Sequence, residues 1–170
     1  MGFCLGAYFA GHGYFDLLPD NSTCDEESIQ PGAQVTNRTN TIIQLDWTFA
    51  AGPKKGTTEE RWAFFQDGAV IKLKGDAATA NETTIFARYA SNNDIAATLT
   101  PYGKGWVANT GAHLEADKSW CKSFSGGLVE IVLTCGEDTP YKLKNPDGYK
   151  LTLGYDFVEA TMDASKKSSA

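Results

Sequence analysis

The chain opens on Met1-Gly2-Phe3-Cys4-Leu5-Gly6-Ala7-Tyr8-Phe9-Ala10-Gly11. The Gly-x-Cys-x-Gly inside it constrains the fold more than any other stretch. That spacing is the thiol form of the nucleophile elbow, a strand that turns sharply into a helix and presents one side chain at the bend. A strained turn wedged between strand and helix leaves no room for Cβ atoms, so Gly2 and Gly6 are both expected to be required. Cys4 then stands at a helix N-terminus, an end that favours negative charge. The backbone N–H of Leu5 faces the same space and is the candidate oxyanion donor. The other reading of these residues is an apolar segment with two incidental glycines and a buried structural cysteine.

A thiol nucleophile needs a base, and the base needs an acceptor that orients it. Both types occur two residues apart in Gly111-Ala112-His113-Leu114-Glu115, which follows a strand-like run over 105–110. Reacting groups in open α/β sheets gather beyond the carboxyl ends of strands. Cys4 and His113 each follow a strand, so their convergence is expected, with Glu115 behind the imidazole. His12, in a glycine-flanked loop, is the weaker candidate base and reads better as a solvated side chain.

The order of these and further stretches resembles the class I glutamine amidotransferase-like superfamily. Within it, the likeness is to fungal proteins with a biotin-protein ligase N-terminal-like domain. It rests on the opening stretch, Gln30-Pro31-Gly32-Ala33-Gln34-Val35, Gln44-Leu45-Asp46-Trp47-Thr48, Phe65-Gln66-Asp67-Gly68-Ala69, Ala87-Arg88-Tyr89, Tyr102-Gly103-Lys104-Gly105-Trp106, the His113 segment, and the run from Leu153 to Met162. The resemblance implies an α/β fold with a flavodoxin-like sheet carrying antiparallel hairpin additions. It also places Trp62, Gln66 and Asp67 near the mouth of the site. Leu114 stands where the family pattern has proline. In the family about half the sheet, with a glycine-rich loop, precedes the elbow. By that comparison the first strands are missing and the chain is N-terminally truncated, so exposed sheet edges are expected to associate with another chain.

The remainder reads as one domain over 1–162 and a flexible lysine- and serine-rich tail over 163–170. Strands are expected over 41–49, 61–65, 69–73, 83–89, 94–99 and 105–110. Gln66-Asp67-Gly68 is expected to close a hairpin with Gly68 at positive φ. Residues 20–28 read as a polar surface loop, 116–123 as helical, and 128–133 as an apolar run of either type. Residues 145–148 read as a turn. Residues 149–162 read as an amphipathic helix with Leu151, Tyr155, Val158 and Met162 on one face.

The net charge of −6 argues against nucleic acid and anionic membranes as partners. No apolar run approaches the ~20 residues of a spanning helix. No Cys/His spacing suits zinc, and no nucleotide-binding glycine motif occurs, so the chemistry is expected to need no metal or organic cofactor. With Cys4 as nucleophile, Cys24, Cys121 and Cys135 remain. Cys121–Cys135 is the expected bridge, and Cys24 is left without a partner in the chain. Sequons at Asn21, Asn37 and Asn81 lean towards secretion over the cytoplasm. The expected function is a Cys-His-Glu hydrolase or amidotransferase acting on a small amide or acyl substrate. The alternatives are a non-catalytic binding or regulatory domain and a redox-sensing thiol at Cys4.

Overall fold

The computed structural model describes residues 1–36, 40–75, 83–117, 120, 145–148 and 151–167. The architecture is α/β, with a curled, mixed six-stranded sheet and few helices. Strand β1 (Gly2–Phe3) leads through Cys4 into α1 (Leu5–Ala10), then come β2 (Thr23–Glu26), β3 (Thr41–Thr48), β4 (Thr58–Phe65) and β5 (Ala69–Lys72). β6 (Thr84–Tyr89), β7 (Ile95–Tyr102), β8 (Gly105–Thr110) and α2 (Thr152–Lys167) complete the order.

The large sheet runs β1-β8-β7-β6-β3-β4, and β2 pairs with β5 in a separate ribbon. Only β1 runs parallel to its neighbour, with Gly2 opposite Asn109 and Phe3 opposite Thr110. The other pairs are antiparallel. β7 and β8 form a tight hairpin closed by Tyr102 opposite Gly105, with Gly103 at φ 57° supplying the conformation such turns need.

Alternation along the strands sends side chains to two faces. On one face α2 lays Phe157 against Phe3, Trp47 and Phe86, at ring-centroid distances of 5.5, 6.4 and 5.1 Å. Burying an aromatic ring of this size stabilises by about 2–3 kcal/mol, so this cluster is what fixes α2. On the other face Ala10, Leu18 and Ile71 form a smaller core with Val107 and Ile95 from the sheet and Cys24 from β2.

Several expectations change. The stretch 20–28 is not a polar loop: Thr23–Glu26 pairs with β5, and Glu27 is fully buried. The Glu27 carboxylate accepts the Gln34 N–H at 2.9 Å, and burial pushes its carboxyl above the usual range. β4 and β5 are not a hairpin. β4 stays in the large sheet while β5 crosses to β2. In the turn between them Asp67 carries the positive φ, 49°. Gly68 is required for another reason: a Cβ there would lie 2.2 Å from the Gly111 carbonyl oxygen.

Helix α2 runs to Lys167, through most of the segment expected to be frayed. It buries Leu153, Asp156, Phe157 and Ala160, and leaves Tyr155 and Met162 exposed, so the expected face was the wrong one. Residues 145–148 do form a turn, closed by the Gly148 N–H to the Asn145 carbonyl at 3.0 Å. The expected run over 128–133, the Cys121–Cys135 pair, and the sequons at Asn37 and Asn81 lie outside the described residues, as does most of 116–123.

Candidate active site

Cys4 sits at φ 47°, ψ −106°, between β1 and α1. A non-glycine residue there is strained by about 1–3 kcal/mol, and the surroundings must hold it. Its N–H donates to the Thr110 carbonyl at 2.8 Å, which ties the bend to the end of β8. A Cβ on Gly2 would come within 2.6 Å of both Asn109 Oδ1 and the Gly6 carbonyl oxygen, so only glycine fits under the bend. Gly6 differs from the expectation: a Cβ there meets nothing within 4 Å. Leu5 opens α1 with its side chain exposed, directly after the sulfur.

His113 leaves β8 three residues beyond Thr110. Gly111 makes this exit close: a Cβ there would overlap the Ala69 carbonyl oxygen at 2.1 Å and the Tyr89 hydroxyl at 2.2 Å. The Tyr89 hydroxyl itself donates to the Ala69 carbonyl at 2.7 Å. The His113 N–H donates to the Phe64 carbonyl at 2.9 Å, an isolated antiparallel bridge to β4. Leu114 is turned into the core under α2, and with it there His113 Nδ1 and Glu115 Oε1 meet at 2.8 Å.

Cys4 lies close enough to His113 to act on its imidazole. Nδ1 faces Glu115, so Nε2 is the nitrogen left for the sulfur. Burial disfavours the imidazolium. The interactions with Cys4 and Glu115 outweigh it, and together they push His113 up to about 9. The thiol donates to the Gln66 carbonyl at 3.1 Å.

Of the three residues expected near the mouth, Gln66 reaches the sulfur through its backbone carbonyl. Asp67 takes part through its carbonyl, which with that of Gly68 accepts the Tyr8 hydroxyl at 3.2 and 3.1 Å. Trp62 borders a cavity of about 20 Å³ together with Phe64 and His113. Its N–H is held by Asp147 Oδ2 at 2.8 Å.

Tyr8, Phe64 and Trp120 were not singled out from sequence. Tyr8 follows Cys4 by four residues, one helical turn on, a spacing that could have flagged it. Nothing local marks Trp120. His12 lies at the far end of α1, paired with Asp16 at 3.0 Å and half exposed. Cys24 is a free thiol that burial pushes up to about 12, far from a reactive state. Asn21 is exposed on a 3-10 turn.

No protein-family model matches the chain. No curated protein matches it either.

Among the described residues no group of three or more His, Cys, Asp or Glu side chains is placed to hold a metal. None of their helices is long and apolar enough to cross a membrane. A groove of about 790 Å³ runs between α2 and the sheet past Thr48, Thr84, Leu99 and Trp106. Trp106 lies near the start of β8, which ends at Thr110, so this groove lies towards the opposite end of the strand from Cys4. Neither Cys4 nor His113 lines it.

Proposed function

We propose that the protein is a cysteine-dependent amide hydrolase or amidotransferase of the class I glutamine amidotransferase-like kind. In this reading it is related to biotin-protein ligase N-terminal-like domains, and its sheet is of the flavodoxin-like kind. The observation that carries the reading is a strained Cys4 close to His113, whose Nδ1 meets Glu115 at 2.8 Å. A parallel strand pair, β1 beside β8, delivers both groups to one edge, which is where an open α/β sheet gathers its reacting groups.

The sulfur gives its proton to His113 Nε2, and Glu115 stabilises the imidazolium that forms. The thiolate attacks the amide carbon. The Leu5 N–H donates to the developing oxyanion. The imidazolium returns its proton to the leaving amine, the C–N bond breaks, and a thioester to Cys4 remains. Water, deprotonated by the same imidazole, resolves it to the acid and the free thiol; an amine in place of water gives transfer.

A panel of primary amides, read by ammonia release, tests this. Turnover is expected in the wild type, absent in Cys4→Ser and at least about 100-fold lower in His113→Ala. No release from any amide, or release that survives Cys4→Ser, contradicts it.

One observation favours a second reading, a binding or regulatory domain. The Gln66 carbonyl holds the thiol proton. Under that reading the panel gives no turnover.

A further inference from the structure

Two aromatic side chains pack against the His113 ring from the same side. The Trp120 centroid lies 4.8 Å away with the planes at 48°, and Phe64 lies 5.8 Å away, edge-on at 68°. Phe64 and Trp120 also meet each other at 5.8 Å, edge to face. The three rings form a closed triangle. It leaves the His113 side chain only 12% exposed although its segment is at the surface. Phe64 is anchored twice, by its own burial and by its carbonyl bond to the His113 N–H. Trp120 is 40% exposed and is fixed by its N–H to the Asp117 carbonyl at 3.1 Å. It is the outer member, between the imidazole and water.

We propose that Trp120, backed by Phe64, is a positioning residue of the site: it packs against the His113 imidazole and restricts its rotation while Glu115, itself 38% exposed, holds Nδ1. The inference rests on the reading of His113 as the base.

The physical reason is rotational. A bond from Nδ1 to Glu115 fixes one end of the ring, and rotation about χ2 remains soft. Packing of Trp120 and Phe64 against one side of the ring restricts that rotation and keeps Nε2 turned to the sulfur. A misplaced base costs one to two orders of magnitude in rate. Aromatic faces also attract the cationic ring. The titratable groups acting on the ring are Cys4 and Glu115. The residues that β4, the 145–148 turn and α2 place around it, namely Trp62, Ala63, Phe64, Asn145 and Leu153, carry no charge.

The test uses the full chain and two readouts, in wild type, Trp120→Ala and Trp120→Phe. The first is the downfield imidazole N–H proton resonance of His113, visible only while the ring orientation keeps Nδ1–H in its bond to Glu115. With two histidines in the chain its assignment needs only comparison with His12→Ala. The second is the rate of Cys4 alkylation by iodoacetamide.

The resonance is expected in wild type, lost in Trp120→Ala and kept in Trp120→Phe. Alkylation is expected to fall about tenfold in Trp120→Ala and to recover in Trp120→Phe. A wild type without the resonance, or a Trp120→Ala protein that keeps either the resonance or the wild-type rate, overturns the proposal. His113→Ala separates the two readings. If it alkylates at the wild-type rate, the base assignment fails, and the restriction of the ring is decided by the resonance alone.

Discussion

Cys4 holds a backbone conformation that costs about 1–3 kcal/mol, and three neighbours keep it there: the Thr110 carbonyl, the Gly2 backbone under the bend and the Gln66 carbonyl. The elbow was legible because its spacing reports a steric need. That need is real at Gly2 and absent at Gly6, where open space would admit a methyl group. His113 and Glu115 were legible for a chemical reason: a base with an acceptor two residues on. Trp120 was not, because a tryptophan seven residues beyond the base has no local signature.

His113 also gives a pH dependence with a definite sign. Its folded value near 9 lies above the usual 6.5, so the folded state binds more protons between those limits. Stability from this group is full below about pH 6.5 and is lost as pH rises through about 9; the shift is worth at most about 3 kcal/mol. Urea unfolding at pH 6 and pH 10 should show wild type losing stability relative to His113→Ala. Parallel changes in the two proteins would contradict the assignment.

At the scale of elements, one carboxylate joins α2 to the loop after β3. Asp156 is buried and accepts the Trp47 indole N–H at 2.9 Å and the Ala51 N–H at 2.7 Å, with the Ala50 N–H at 3.1 Å. The expected apolar face of this helix was misjudged because its sequence offers two. Tyr155 and Met162 share one, Leu153 and Phe157 the other. The decision is made by what waits on the sheet, the Trp47 and Phe86 rings into which Phe157 fits. A polar residue between two apolar ones then enters the core and finds three donors there.

Asp156→Ala strips partners from those donors and should lower stability by about 3 kcal/mol, with an unchanged denaturant slope. A loss under about 0.5 kcal/mol in a urea titration would show that the staple is incidental. The other misjudged element, β5, failed for a similar reason. A turn at Gln66-Asp67-Gly68 is legible, but which strand the chain pairs with afterwards depends on β2, over forty residues earlier.

Across the whole molecule, two close backbone contacts build the site. β1 lies parallel to β8, and Gly68 meets Gly111. The first brings Cys4 and His113 to the same edge, and the second presses the Gln66 carbonyl onto the sulfur. Both join segments far apart in sequence, which is why the contact of the Gln66 carbonyl with the sulfur has no signature in the sequence. Charge and fold class set the frame, an acidic α/β chain, without naming a substrate.

The direct measurement is the iodoacetamide rate at Cys4, read by peptide mass spectrometry beside Cys24 in wild type and in His113→Ala. The account predicts that Cys4 reacts well ahead of the buried Cys24 and slows at least about tenfold when the imidazole is removed. Equal Cys4 rates in the two proteins would contradict it.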